Sequence, residues 1–316
     1  MIVHANDGIS STGIKSLEEK GFKVLLDRVS QENLVDFINE QKVEVLLVRS
    51  ATKVRQDLID ATNLKIVGRG GVGMDNIDVD YAKSKGVNVI NTPAASSASV
   101  AELVFAHMLS LSRYLHDANR KMPLEGDSKF KELKKSYSRA NELRGKTMGV
   151  IGFGRIGEET VRLAIGMGMK LKVYDPFIKE KKIHLSFFDG QTIDFDIETC
   201  SLEDLFSNSD YISVHVPAQE NYVIGKEEIS KLKDGAIVIN AARGGVVDEK
   251  AIVDAIESKK IRGAALDVFE NEPKPEIALL MNPSLSLSPH VGGSTIEAQD
   301  RIGEELADQI ISFYGK

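Results

Sequence analysis

Short apolar runs recur through the first ninety residues: Ile2-Val3, Val24-Leu25-Leu26, Val45-Leu46-Leu47-Val48, Ile66-Val67 and Val89-Ile90. Between them lie stretches with helical spacing, such as residues 31–41 and 57–61. Short continuous apolar runs read as strands buried on both faces. Strands alternating with helices imply a parallel sheet covered on both sides. The pattern predicts a first α/β unit of roughly ninety residues. From Thr147 a second set begins, with strands expected at 148–151, 171–174, 211–214, 237–240 and 264–268, and more weakly at 285–288.

Between the two sets the pattern changes. Asn91-Thr92-Pro93 ends the first unit, because a residue before proline avoids helical geometry. A small, polar stretch covers 94–99, and 100–115 reads as one long helix rich in alanine, leucine and methionine. Residues 92–100 form the first expected crossover between domains. Residues 121–144 are polar and lysine-rich, with Pro123 and Gly126, and read as a solvated loop and surface helix. Residues 178–200 fit no crisp element, although Phe187-Phe188-Asp189-Gly190-Gln191 suits a hairpin turning at Asp189-Gly190. Residues 294–314 read as one helix, with Ile296, Ile302, Leu306 and Ile310 on its apolar face. Such a helix is expected to return to the first unit and close two lobes around a cleft.

One stretch carries specific chemistry. Met148-Gly149-Val150-Ile151 leads into Gly152-Phe153-Gly154-Arg155-Ile156-Gly157, a G-x-G-x-x-G turn after a strand. A helical pattern follows, then a second strand ending in Asp175. Gly152 suits the tight turn, Gly154 the close approach of a pyrophosphate, and Gly157 the packing of helix on strand. The free N–H groups at the helix start would receive the pyrophosphate. Asp175 lies near the ~20-residue offset expected of an acid that binds a ribose diol. The glycines alone are a weak signal; strand, helix and acid in this order point to a dinucleotide.

Composition narrows the class. The chain has 316 residues, 42% hydrophobic and 28% charged, enough for two domains with sizeable cores. It has no run of about 18 apolar residues, and its first residues do not resemble a signal peptide. Cys200 is the single cysteine, so no internal disulfide is available. A cytoplasmic location is expected from these features together. The net charge of −7 disfavours generic binding to nucleic acid or an anionic membrane. No metal site is expected.

Three polar residues follow strands of the second unit: Arg243 in Asn240-Ala241-Ala242-Arg243-Gly244-Gly245, Glu272 in Phe269-Glu270-Asn271-Glu272-Pro273, and His290 in Ser288-Pro289-His290-Val291-Gly292-Gly293. Ligands of open α/β sheets bind beyond the C-terminal strand ends. The residue types suit hydride transfer from an alcohol carbon. Histidine can take and return the hydroxyl proton. A carboxylate beside it favours the imidazolium. Arginine stays charged and grips a carboxylate with two hydrogen bonds. Each residue taken alone is more often structural or a surface group.

The ordered motifs together resemble the D-isomer-specific 2-hydroxyacid dehydrogenase family. They include Val48-Arg49-Ser50-Ala51-Thr52-Lys53, Gly68-Arg69-Gly70-Gly71-Val72-Gly73-Met74-Asp75, Asn91-Thr92-Pro93 and Ser99-Val100-Ala101-Glu102, besides those already quoted. The resemblance runs over nearly the whole chain and implies two Rossmann-like α/β domains. The substrate domain would comprise 1–93 and 294–316, and the NAD-binding domain 94–293. It implies NAD as cofactor and a homodimer or higher oligomer. Arg243, Glu272 and His290 match the substrate-binding arginine, the acid paired with the histidine, and the proton carrier. Asp175 matches the adenosine-ribose acid, whose charge disfavours a 2′-phosphate. Gly152, Gly154, Arg155, Ile156 and Gly157 match the pyrophosphate turn. His215, Pro217, Ala241, Asp267, Gly292 and Gly293 match positions lining the cofactor.

Within the family the chain is most similar to members that oxidise D-3-phosphoglycerate at the entry of serine synthesis. Arg49, Ser50 and Arg69 match their phosphate and substrate contacts, and Gly71, Val72 and Gly73 the loop at the substrate carboxylate. A phosphorylated 2-hydroxy acid is therefore the expected substrate. Glyoxylate or hydroxypyruvate reduction is the alternative, and a non-catalytic NAD-sensing protein the alternative of another class. The sequence shows no C-terminal regulatory extension after the terminal helix, so serine feedback through such a domain is not expected.

Overall fold

The fold is that of a computed structural model describing residues 1–315. Its contacts divide it into two compact units: residues 1–99 with the chain from Gly293 onward, and residues 100–292. These divisions fall six residues after and one residue before the boundaries read from the sequence.

The first unit begins with β1 (Ile2–Ala5), α1 (Ser11–Glu19), β2 (Lys23–Leu25), α2 (Leu34–Gln41) and β3 (Val45–Val48). It continues with α3 (Gln56–Ala61), β4 (Ile66–Arg69), α4 (Val79–Ser84) and β5 (Asn88–Asn91). The five strands are parallel in the order β2-β1-β3-β4-β5. This is a doubly wound order, with a switch point between β1 and β3. All four residues of β3 are buried, which is why that strand reads as an unbroken apolar run.

Helix α5 (Ser97–Ser112) starts three residues before the expected helix and stops earlier. Tyr114 has φ +56°, and this left-handed residue ends the run before α6 (Leu115–Glu125) and α7 (Phe130–Ser136). The second sheet then forms from β6 (Thr147–Ile151), followed by α8 (Arg155–Gly166) and β7 (Lys170–Tyr174). Next come β8 (Glu180–Ser186), β9 (Thr192–Glu198), α9 (Leu202–Asn208), β10 (Tyr211–Val214), α10 (Lys226–Lys231) and β11 (Ala236–Asn240). The unit closes with α11 (Glu249–Glu257), β12 (Ile261–Leu266), α12 (Ile277–Leu280) and β13 (Leu285–Leu287). The six sheet strands run parallel in the order β13-β12-β11-β10-β6-β7.

Strand β12 begins three residues before the expected run and ends two before it. Arg262 and Gly263 conceal its start in the sequence. A Cβ on Gly263 would lie 2.4 Å from the Ser284 carbonyl, so glycine allows the neighbouring chain to approach. Residues 178–200 hold an antiparallel hairpin, β8 with β9, with Ser186 opposite Thr192 and Gly190 at φ +85° in the turn. Ile183, Leu185 and Ile197 face the core, while His184 and Asp194 pair on the outer face. Charged residues at alternate positions dilute the apolar signal that a strand otherwise gives.

Helix α13 (Ile296–Phe313) does return to the first unit, packing on α1. Its buried stripe is Ala298, Ile302, Leu306 and Ile310. Ile296, expected on that stripe, is 80% exposed. The six residues to Ile302 turn the helix by about 240°, whereas steps of four keep Ala298 in line. Two glycines let the helices meet: a Cβ on Gly13 would sit 2.7 Å from the Gly303 carbonyl oxygen. Thr12 Oγ1 also donates to Asp300 at 3.0 Å. Gly13→Val should therefore destabilise the first unit by about 1–3 kcal/mol through overpacking. Urea unfolding followed on the variant and wild type checks this; an unchanged midpoint would mean that the helices do not depend on that contact.

Candidate functional site

Strand β6 ends at Ile151 and its chain turns at Gly152, where φ is +95° and a Cβ would lie 2.5 Å from the His215 carbonyl. Gly157 lies against the same turn, its missing Cβ only 2.0 Å from the Gly152 oxygen. Gly154 has open space where a Cβ would stand. It is the N-cap of α8 and brings no side-chain oxygen to the first-turn N–H groups. Arg155 is exposed and Ile156 half-buried in that turn. This open, uncapped, positive helix end fits a pyrophosphate.

Asp175 follows β7 and faces the same turn. Its Oδ2 accepts from Phe153 N at 2.8 Å, and its Oδ1 from Phe177 N and Ile178 N at 2.8 and 3.1 Å. A carboxylate has about four acceptor positions, so one remains for a ribose hydroxyl. His215 follows β10, with Nε2 3.2 Å from Thr160 Oγ1. That hydroxyl donates to Ile156 O at 2.9 Å, so the imidazole donates from Nε2. Burial pushes the His215 pKa down to about 3. Pro217, two residues on, is exposed, and Ala241 is buried after β11.

The loops after β11, β12 and β13 carry the polar trio. His290 Nδ1 lies 2.8 Å from Glu272 Oε2, and Glu272 Oε1 accepts from Phe269 N at 3.0 Å. With Glu272 as acceptor, Nδ1 carries the proton and Nε2 is left for a substrate. Asn240 shapes the arginine loop: its Oδ1 accepts from Ala242 N and its Nδ2 donates to Arg243 O. Arg243 Nη1 donates to Ala242 O at 2.6 Å. Gly244 lets this loop meet the Glu272 loop, for a Cβ there would be 1.9 Å from Phe269 O. A largely apolar cavity of about 380 Å³ adjoins the histidine and acid, lined by Phe269, Pro273, Leu280, Leu287 and Pro289.

Asp267 is 1% exposed, and its carboxylate organises the histidine loop. Oδ1 accepts from Ser288 Oγ and Val291 N, and Oδ2 from Gly292 N, at 2.6–2.8 Å. The Asp267 carbonyl accepts from His290 N at 2.7 Å. His290 itself has φ +54°, a backbone state that costs about 1–3 kcal/mol outside glycine. Gly293 falls in the first unit, with Ser96 Cβ 3.3 Å from where its own Cβ would be.

In the first unit, Arg49 and Arg69 stand at the ends of the adjacent strands β3 and β4. They converge on one loop: Arg49 Cγ is 3.8 Å from the Cβ position of Gly70, and Arg69 Nη1 is 2.2 Å from that of Gly71. Gly71 is buried, Ser50 and Val72 are exposed, and Gly73 is half-buried in the same segment. Burial lowers the Arg49 pKa from the guanidinium range, against the charge of Asp7. Two cationic residues thus border one glycine segment.

Comparison with known proteins gives the family. Residues 105–292 match the model of the D-isomer specific 2-hydroxyacid dehydrogenase, NAD binding domain. The chain is 42% identical over 320 residues to hydroxypyruvate reductase of Thermotoga maritima, covering 99% of this chain and 98% of that one. The chain belongs to the D-isomer specific 2-hydroxyacid dehydrogenase family. D-3-phosphoglycerate dehydrogenase of Methanocaldococcus jannaschii is also 42% identical, over 307 residues and 96% of this chain, but the match spans only 56% of that protein. Among solved structures, D-lactate dehydrogenase from Aquifex aeolicus, complexed with NAD and lactic acid, is 29% identical with a TM-score of 0.75, covering 100% of this chain and 96% of that one. The family is one of NAD-dependent enzymes, and NAD is the cofactor.

Several residues of this dehydrogenase that shape the site were not singled out from its sequence. Asp7 accepts from Arg49 N and Thr52 N at 2.7 and 3.1 Å, and Asn76 Nδ2 donates to Arg49 O and Thr52 O. Glu249 and Glu270 each accept the other's backbone N–H, tying α11 to the Glu272 loop. Burial raises the Glu249 pKa, with the Glu270 charge acting the same way. Only the position of Asp7 and Glu249 at element ends could have hinted at these roles.

The depressed His215 pKa makes a pH prediction. The folded state holds this ring neutral, whereas the unfolded chain protonates it below about 6.5. Its stability contribution is thus complete above pH 6.5 and is lost as pH falls toward 3, on the order of 2 kcal/mol by pH 5. His215→Gln retains an N–H for Thr160 and should lose less stability between pH 7 and 5 than wild type. Urea midpoints at both pH values decide it; equal losses would place the acid sensitivity elsewhere.

Proposed function

We propose that this dehydrogenase oxidises D-3-phosphoglycerate to 3-phosphohydroxypyruvate. The observation that carries the reading is the convergence of Arg49 and Arg69 on the Gly70-Gly71 segment. The Arg49 stem passes Gly70 and the Arg69 guanidinium lies against Gly71, so two cationic residues border one glycine segment, an arrangement that suits a phosphate. The His290–Glu272 pair and Arg243 supply the rest of the chemistry.

His290 Nε2 takes the proton of the substrate hydroxyl as the carbon–oxygen bond becomes a carbonyl. Glu272 holds Nδ1–H and stabilises the imidazolium that results. Arg243 grips the substrate carboxylate and polarises the developing carbonyl oxygen. On the first unit, the amides of Gly71, Val72 and Gly73 are assigned to carboxylate binding and Ser50, with Arg49 and Arg69, to phosphate binding. NAD, when bound, accepts the hydride. The glycine turn from Gly152 to Gly157 and Asp175 hold it by pyrophosphate and ribose, with His215, Pro217, Ala241, Asp267, Gly292 and Gly293 nearby. The same residues run the reduction in reverse, His290 then giving its proton to the new hydroxyl.

A second reading, reduction of hydroxypyruvate or glyoxylate, draws on the near-complete match to the Thermotoga enzyme. We also propose that the working form is a homodimer or higher homo-oligomer. Helix α5 is apolar around most of its circumference, and Leu109, Leu115, Met122, Leu124 and Phe130 are exposed on α5 to α7. Such a surface suits a second copy.

The substrate test is NADH formation at alkaline pH with D-3-phosphoglycerate, beside D-glycerate, for wild type and an Arg49→Ala/Arg69→Ala double variant. Preference for the phosphate ester that the variant loses by 100-fold or so in kcat/KM supports the proposal. Equal use of D-glycerate, or indifference to the two arginines, moves the reading to the unphosphorylated acid. His290→Ala should cut kcat by about 10²–10⁴ and leave NAD affinity near wild type. Equal losses in both would remove His290 as the base. Asp175→Ser should weaken NAD by about tenfold and narrow the preference over NADP, measured by cofactor titration; an unchanged ratio would free Asp175 of the ribose role.

A further inference from the structure

The proton chemistry assigned to His290 leaves another buried histidine of the same unit unused. His107 lies on α5 and is 6% exposed. Its Nδ1 is 2.8 Å from Ser286 Oγ on β13, and its Nε2 is 2.9 Å from Ser288 Oγ just beyond that strand. Ser288 Oγ is in turn 2.6 Å from Asp267 Oδ1. The chain of contacts thus runs from helix to strand to the carboxylate that organises the His290 loop.

The direction of each hydrogen bond follows. The Asp267 carboxylate also receives two backbone N–H groups and acts only as an acceptor. Ser288 has one hydroxyl proton and gives it to Asp267. Its oxygen must then accept from His107, so His107 carries its proton on Nε2. Nδ1 is left with a lone pair and accepts the Ser286 hydroxyl proton. Every polar atom of the chain is satisfied in this one arrangement, and a buried network so satisfied is rigid. Burial lowers the His107 pKa, which keeps the ring in the neutral form that the arrangement needs.

We propose that His107, with Ser286, is a positioning residue for catalysis: it directs the Ser288 hydroxyl onto Asp267 and so holds the left-handed backbone that presents His290. Without the Nε2 donor, the Ser288 hydroxyl can rotate away from Asp267. The carboxylate then loses one of its three donors, and the His290 turn loses its shortest side-chain brace. A shift of 1 Å in a catalytic group can cost 100-fold in rate. An apolar residue at 107 would fill the same space against β13 and provide no donor, so the histidine is present for direction as well as for packing. The inference rests on His290 being the proton carrier.

The test uses His107→Leu, His107→Gln and Ser288→Ala, with His290→Ala alongside. Leucine keeps the volume without a donor; glutamine restores an N–H toward Ser288; Ser288→Ala deletes the connecting hydroxyl and leaves α5 intact. We expect kcat to fall about 10- to 100-fold in His107→Leu and Ser288→Ala. KM for the hydroxy acid should change little, the melting temperature should fall by about a few degrees because each variant leaves a buried polar group without a partner, and His107→Gln should recover most of kcat. Ring ¹⁵N spectra of wild type should show His107 protonated at Nε2. A folded His107→Leu or Ser288→Ala with wild-type kcat overturns the proposal. So does a Gln variant no better than Leu, or a ring protonated at Nδ1. Should the leucine variant not fold, Ser288→Ala and the spectra decide. Full activity in His290→Ala would refute the reading of the site itself, whereas the ¹⁵N tautomer stands or falls independently of it.

Discussion

Three carboxylates, each just past a strand end, collect the backbone N–H groups of the loops that carry the chemistry. Asp7 after β1 holds the Arg49 segment, Asp175 after β7 holds the glycine turn, and Asp267 after β12 holds the His290 segment. Each receives three donors at short range. Withdrawing a carboxylate from water costs several kcal/mol, and charge-assisted hydrogen bonds are what offset it. The arrangement makes loop geometry depend on a few strong bonds rather than on apolar packing, which loops mostly lack. It also explains how a non-glycine residue is kept at φ +54° at His290.

These carboxylates can act in this way because every strand of both large sheets is parallel. Parallel strands all end on one edge, so each connecting loop starts there, beside its neighbours. In the second unit that edge gathers the loops bearing Gly152, Asp175, His215, Arg243, Glu272 and His290, which lie far apart in sequence. In the first unit it gathers Arg49 and Arg69 from adjacent strands. Glycines then set how closely the loops approach. The contact of Gly244 with Phe269 O brings the arginine loop against the acid loop, and no side chain could occupy that space.

The hairpin β8–β9 shows how one fold tolerates local departure. It occupies the chain after β7, which leaves β7 at the edge of the six-stranded sheet. Lys181 pairs with Glu158 of α8 at 2.5 Å, and Arg162 of α8 donates to the His184 carbonyl. The hairpin is thereby fastened to the helix that begins at the glycine turn. Its apolar side joins the core of the unit, so it behaves as part of the domain wall and not as an appended loop.

The sequence by itself determined the parallel α/β architecture, most strand positions, the glycine turn followed by an acid, and that Arg243, Glu272 and His290 follow strands of the second unit. These were legible because buried parallel strands are continuous apolar runs, and because the glycine spacing and the polar residues after strand ends are local patterns in the chain. It misplaced Ile296, whose helical phase differs from that of Ile302 by two-thirds of a turn, and it missed the start of β12, where Arg262 and Gly263 break the run. Only the tertiary structure showed that Asp267 braces the His290 loop and that Ser286, Ser288 and His107 stand in line behind it. The reason is physical: a hydrogen-bond network joining a helix to a strand some 180 residues later has no period or spacing in the chain. It exists only once the packing of α5 on β13 brings the partners within reach.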